Sequence, residues 1–494
     1  MTSSSSAAAA ASSAPPPDDK EEGDGRNKVA CVNPATGDIF VSHGEAYVEA
    51  GAVAAARRAH DLGSLAAGVA ARIVAGGIGF PFKWKCVDDE QLGAWFAALR
   101  AYPHARTLRR GAYELHGYYP AGRCLSVMFD GPVVAAGADG CVTTSGPRPV
   151  LLTPADTPLL MGGAPAYVPF DREYNEIGGT IVDVFTEAAR MAAVRKDEGR
   201  PPAELWRLPE VARFAVDKAL RKYGEVTDFS LRHGLYGRVA GANLFKSNLA
   251  RGLFELLGGT RILDPCAGWG CRLAGALTTP TVTRYLAFDP NPALVAGHQG
   301  LIRRFRAAAG GRYDVVSAPF EDGVIPPADV AAGFDLAFTS PPYFDLEVYE
   351  PPPAASGAGA SVPLAPGAVV RQSIARHTGQ AGWLTAWYFP MMSKAWAALV
   401  PGGHLAIYIN DHVKAGEESL DLCFPMLAHA ATLPDCRWVG VLGLEGETGR
   451  IRPLWLWRKG ALSSPPPPLY SVLAAPYSSD APAPPPAAQR RRFA

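Results

Sequence analysis

An α/β fold built on a mostly parallel sheet, preceded by a helical region, is what the sequence predicts. Three observations carry that prediction. From residue 261 onward short apolar strands alternate with helix-length segments. That series opens on a strand, a glycine-bearing turn and a helix start, RILDPCAGWGCRLAGAL (261–277). A later strand, FDLAFT (334–339), runs straight into Ser-Pro-Pro-Tyr at 340–343.

The strands follow in order as ILD, YLAFD (285–289), DVVSA (314–318), FDLAFT and HLAIYIN (404–410). Each ends on a polar or turn residue, at the edge where parallel sheets bind ligands. Beyond them RWVGVLGL and PLWLWRK, split by a glycine-rich turn, predict an antiparallel pair closing the sheet edge. Upstream, residues 151–260 read as helical. Thr180 to Arg195 places Ile181, Phe185, Ala188/Ala189 and Ala192 on one face, with Arg190 elsewhere. Ser247 to Leu257 reads as an amphipathic helix opened by a serine cap and stopped by Gly258-Gly259. Trp84, Trp95, Phe96 and the stretch DDEQLGAWFAALRAY point to a helix within 28–150.

A chain of 494 residues predicts two to four domains, at about 150 residues each. The expected division is a low-complexity disordered tail at 1–27, then a region of unassigned function at 28–150 that is the candidate for substrate recognition by elimination. A helical region at 151–260 packs on the catalytic domain at 261–460, which holds a Pro/Gly/Ala loop at 350–368. A Pro-rich disordered tail follows at 461–494. The 47 basic and 47 acidic residues cancel, so any nucleic-acid contact must come from a local basic face. Arg303, Arg304 and Arg306 form one such helix face, read as solvated, and His298, His404 and His412 read as core or surface residues. Eight cysteines occur singly, with no zinc spacing and hence no expected metal. With no signal peptide and no apolar run near about 18 residues, they predict an intracellular protein of cytoplasm or nucleus, neither secreted nor membrane-bound.

The turn Asp264-Pro265-Cys266-Ala267-Gly268-Trp269-Gly270 lies between strand and helix, where Gly268 and Gly270 allow a tight turn and close approach to a ligand. Asp289, 25 residues after Asp264, ends the next strand and is placed to take both hydroxyls of a ribose. A dinucleotide would need a third glycine, and Asp264 opposes a phosphate and suits a cation. S-adenosylmethionine, with its ribose, adenine and sulfonium, fits those requirements. Phe320, after the third strand, is placed to cover the adenine, and Asp322 to bond its amine.

Ser-Pro-Pro also occurs at Ser464, in the proline-rich tail, so position distinguishes the copy at Ser340. An aromatic amine is a poor nucleophile because its lone pair is delocalised. Hydrogen bonds to the Ser340 oxygen and the Pro341 carbonyl favour a pyramidal nitrogen, and Pro341 and Pro342 fix the turn and offer no competing N–H. Tyr343 is placed to stack on a base taken out of its helix.

The order DPCAGWG, AFDPNP, APFED, TSPPYFDLEVY, VPGGHLAIYIND and RPLWLWRK resembles class I S-adenosylmethionine-dependent DNA amino-methyltransferases, which make N6-methyladenine or N4-methylcytosine. The likeness is greatest to a group found in phages, bacteria and large DNA viruses. It covers roughly residues 150–460 and implies a Rossmann-like class I methyltransferase sheet with an antiparallel edge hairpin. It also implies S-adenosylmethionine as cofactor and a nucleic-acid partner, DNA above all. Carried over by position, Asp264, Cys266, Gly268, Gly270, Asp289, Phe320 and Asp322 would bind the cofactor. Ser340, Pro341, Pro342 and Tyr343 would hold the amine. Serine at the first position leans towards cytosine N4; the cofactor motif preceding the amine motif differs from many N4 enzymes, so both bases stay open. RNA, a protein glutamine amide, and a non-catalytic binding subunit on the same fold stand as alternatives.

Overall fold

In the computed structural model the described residues are 48, 50–82, 87–102, 108–110, 167–193, 200–239, 241–344, 372–377, 379–411 and 422–460. Backbone strands at 29–32, 39–42, 127–130, 133–134, 143–144, 148–152, 160–161 and 164–166 are also described. Both terminal tails, the 350–368 loop, Trp84 and His412 lie outside them.

The main sheet is built from β1 (Arg109–Arg110), β2 (Ala164–Val168), β3 (Arg261–Asp264), β4 (Arg284–Phe288), β5 (Arg312–Val316), β6 (Phe334–Thr339), β7 (Leu399–Tyr408), β8 (Cys436–Glu445) and β9 (Ile451–Lys459). Its order is β5-β4-β3-β6-β7-β9-β8-β2-β1. Strands β3 to β7 pair in parallel, and β9 runs antiparallel to both β7 and β8. This is the Rossmann-like α/β sheet with an antiparallel hairpin that the sequence implied.

Two expectations about its surroundings change. The hairpin does not close the edge, because β2 pairs in parallel with β8 through Gly443 and Leu444, and β1 then pairs with β2. Residues 160–168, expected to be helical, therefore supply strand. An edge strand carries a row of unpaired N–H and C=O groups, and the N-terminal chain covers it.

Alternation along the strands loads both faces. Ile262, Tyr285, Ala287, Leu336 and Phe338 enter one core, and Leu263, Leu286, Phe288, Ala337 and Ile407 enter the other. The first face is covered by α2 (Asp89–Arg100), α3 (Arg172–Ala192), α6 (Ser247–Leu256), α7 (Cys271–Thr278) and α8 (Val295–Ala309). The second is covered by α9 (Phe389–Ala397) and the helix Cys423–Ala430. A third core joins α1 (Leu62–Ala75), α4 (Pro209–Lys222) and α5 (Asp228–Leu235), and Met191 of α3 enters it, so α3 belongs to both the bundle and the sheet layer.

That double duty overturns the simple amphipathic reading of α3. Ala188 is exposed, whereas Asp183, Glu187 and Arg190 are buried and paired. The serine cap of α6 also differs. Lys246 is the capping residue, without a side-chain cap bond, and Ser247 lies in the first turn with its Oγ 3.4 Å from the Gly178 carbonyl. A Cβ on Gly178 would fall 2.8 Å from the Ser247 Cβ, so the serine serves a close helix–helix contact instead of a cap. Gly258, at φ 65, ends α6 as the glycine pair predicted.

Candidate active site

A cleft open to solvent lies at the carboxyl ends of β3, β4 and β6. Its floor is the turn after β3. There Gly268 (φ 59) and Gly270 (φ 100) take the left-handed backbone that glycine alone adopts without strain. Asp264 lies beneath the turn, fully buried. Its Oδ2 accepts from Arg272 Nε and from Tyr285 Oη, each at 2.7 Å, and its Oδ1 accepts the Cys266 amide at 3.1 Å. Asp264 thus braces the turn and does not line the cleft. Arg272 also donates to the Cys266 carbonyl, and its guanidinium faces the rings of Phe245 and Phe338 at 5.4 and 5.9 Å.

Asp289, half-buried just past β4, lines the cleft. Its Oδ2 accepts the Gly268 amide at 2.8 Å and its Oδ1 the Asn291 amide at 2.9 Å. Burial pushes this carboxyl up to about 6, against the pull of those two N–H donors. Behind the turn, His298 Nε2 sits 2.9 Å from the Gly268 carbonyl, and burial lowers the imidazole to about 4, so the neutral ring donates there. A Cβ on Gly270 would sit 3.4 Å from the His298 ring, so Gly270 gives the turn its room while standing outside the cleft lining. Cys266 and Phe320 do line it. Burial raises the Cys266 thiol far above its ordinary value, which leaves it protonated and unreactive.

After β5 the segment Pro319–Gly323 forms another wall. Phe320 packs edge-on to Phe288, with centroids 5.0 Å apart. Glu321 lines the cleft, its oxygens engaged by Arg376 at 2.9 Å and by Trp387 Nε1 at 3.0 Å. Asp322 points away, its side chain 55% exposed and paired with Arg376 at 2.8 Å. Lys394 of α9 donates to the carbonyls of Phe320 and Gly323, each at 2.6 Å, and so fixes the segment from below.

The amine motif divides. Ser340 and Pro342 line the same cleft, while Pro341 is buried behind them. Tyr343 is half-buried against the second core, and Phe344, at φ 49, turns edge-on to Trp383 with centroids 5.8 Å apart. The cleft is also lined by Asn243, Phe245, Arg272, Asn291, Gln372, Ser373 and Trp387, none of them singled out from sequence. Asn291 and Arg272 lie beside motif residues and could have been found there. Trp387 and Asn243 carry no local signal, the first brought in by the helical turn Leu384–Tyr388 and the second by the irregular segment before α6. The basic face at 303–306 is partly neutralised, Arg304 pairing with Asp89 at 2.8 Å.

No protein-family model matches the chain, and no curated protein matches it. Solved structures of similar outline include a Listeria monocytogenes protein assigned to the class I S-adenosylmethionine-dependent methyltransferases. It is 11% identical, over 58% of this chain and 83% of that one, at a TM-score of 0.32. A methyltransferase from Pyrococcus furiosus is 15% identical over 43% and 84%, at 0.25. The N-methyltransferase NodS of Bradyrhizobium japonicum WM9, in complex with S-adenosyl-L-homocysteine, is 14% identical over 42% and 84%, at 0.26. Each likeness is one of general outline, and no residue assignment is taken from it. No helix among the described residues is long and apolar enough to cross a membrane.

Proposed function

We propose that this chain is an S-adenosylmethionine-dependent methyltransferase that acts on an exocyclic amino group of a DNA base, cytosine N4 or adenine N6. The observation that carries the reading is the shared cleft: the Gly268–Asp289 cradle and the Ser340–Pro342 turn line one space. A binding module that had given up chemistry would have no need for both.

The residues present fit the cofactor. Asp289 offers a carboxylate to a pair of vicinal hydroxyls, Gly268 approaches without a Cβ, and Phe320, Leu294 and Pro290 give apolar walls for a purine. Asp289 places an acidic group on the space, while the charge of Arg272 is met by Asp264 and that of Glu321 by Arg376. That balance suits a cation and opposes a pyrophosphate. Bound there, the cofactor would supply an electrophilic methyl group on a sulfonium. Ser340 Oγ and the Pro341 carbonyl would accept the two N–H bonds of the acceptor amine, which draws its lone pair out of the ring. No strong base is required, because the amine nitrogen sheds its proton to solvent once it carries the methyl group. DNA as the acceptor follows from the resemblance of the TSPPYFDLEVY segment.

Calorimetric titration with S-adenosyl-L-homocysteine tests the cofactor half. One equivalent should bind, and Asp289→Asn should weaken it by at least about tenfold with a thermal midpoint near that of the wild type. A folded wild-type protein that takes up none rejects the reading.

A further inference from the structure

One helix holds two segments of the cleft lining. The Thr186 hydroxyl is shared between the Trp269 carbonyl at 2.9 Å and the Val182 carbonyl of its own helix at 3.1 Å, and Arg190 Nη1, one helical turn on, donates to the Ala242 carbonyl at 3.2 Å. Trp269 stands between the two glycines of the turn, and Ala242 precedes Asn243; Trp269 and Asn243 both line the cleft. We propose that Thr186 and Arg190 are positioning residues, and that α3 sets the separation of the glycine turn from the Asn243 segment. This rests on the reading that the cleft takes S-adenosylmethionine.

The anchoring of α3 supports the role. Arg190 is held by Asp183 Oδ1 through Nε at 3.1 Å and Nη2 at 2.5 Å. The other oxygen of Asp183 takes Arg232 of α5 at 3.0 Å, and Glu187 takes Arg232 at 2.5 Å and Tyr236 Oη at 2.9 Å. Two carboxylates balance two guanidiniums, and all four side chains are at most 10% exposed. Apolar side chains of similar volume would hold the bundle on at comparable stability. They could not donate to the Ala242 carbonyl. Likewise valine would fill the space of Thr186 but could not reach the Trp269 carbonyl. Helix α8 clamps the same point, since a Cβ on Gly297 would fall 2.7 Å from Thr186 Cγ2. The bundle is thereby wired, through Arg232, to the helix that shapes the cleft.

The test compares Thr186→Val, which keeps volume, with Thr186→Ser, which keeps the donor. Hydrogen exchange of the 265–270 turn is read on unliganded protein, and S-adenosyl-L-homocysteine affinity by titration. Valine should raise exchange in that turn and raise Kd by roughly three- to tenfold, and serine should restore both. Arg190→Lys, which keeps the charge and gives up the fork, should loosen residues 241–246 instead. Unchanged turn exchange in Thr186→Val overturns the proposal. So does a rise spread across the whole sheet, which would mark lost stability alone. If wild-type protein binds no S-adenosyl-L-homocysteine the cofactor reading fails, while the exchange measurement still decides the positioning role.

Discussion

Asp289 Oδ2 accepts the Gly268 amide at 2.8 Å, which ties the end of β4 to the turn after β3. The same carboxylate accepts the Asn291 amide at 2.9 Å and still faces the cleft. It is at once a brace and the acceptor proposed for a ribose.

Burial sets the pH dependence of that acceptor. The carboxyl is raised to about 6, so it is ionised at neutral pH and protonates as pH falls through about 6. Cofactor affinity should drop across that window, and titration of Asp289→Asn should show a flat profile. The contribution to unliganded stability has the opposite sign. A carboxyl whose folded value lies above its unfolded value binds protons more tightly when folded, so stability rises as pH falls from about 6 toward the ordinary carboxylate range. Thermal midpoints with and without S-adenosyl-L-homocysteine would separate the two trends.

Asp264 should behave as a structural residue. Its carboxylate is enclosed and paired with Arg272 at 2.7 Å, so Asp264→Ala leaves a buried guanidinium without its charge partner. A loss of about 3–5 kcal/mol is expected, read by denaturant unfolding, and larger than that of Asp289→Asn.

Glu321 and Asp322 are adjacent, yet only Glu321 reaches the cleft. Glu321→Ala should raise the cofactor KM and leave the acceptor KM near the wild-type value. Asp322→Ala should change neither, since its solvent-exposed pairing with Arg376 is a weak one.

Gly270→Ala would force a side chain into a left-handed backbone at φ 100, against the His298 ring. The strain of about 1–2 kcal/mol should appear as a lower thermal midpoint together with weaker cofactor binding.

Legibility in the sequence followed locality. The β3 turn, Asp289 and Ser340-Pro341-Pro342 could be read because a strand end, a glycine and a polar residue sit within a few positions of one another. Apolar alternation gave the parallel strands in their order. The route of the chain to the far sheet edge could not be read, since β2 is five residues long and pairs with β8 across almost three hundred positions. The burial of Arg190 runs against periodicity, which sends charges to solvent; it is tolerated because Asp183, two turns back on the same helix, pairs with it and the Ala242 carbonyl accepts from it. Asp322, expected at the adenine, is exposed and paired with Arg376 while its neighbour Glu321 lines the cleft, because direction along a loop depends on anchors remote in sequence, here Lys394, Trp387 and Arg376.

The most direct test of methyl transfer uses labelled S-adenosylmethionine with duplex DNA, single-stranded DNA and RNA in separate incubations. Product nucleosides would be identified by mass, with Ser340→Ala and Tyr343→Ala as controls. N4-methylcytosine or N6-methyladenine is expected in DNA, lost in Ser340→Ala. Label confined to RNA or to protein glutamine, or no label from protein that binds the cofactor, would contradict that expectation.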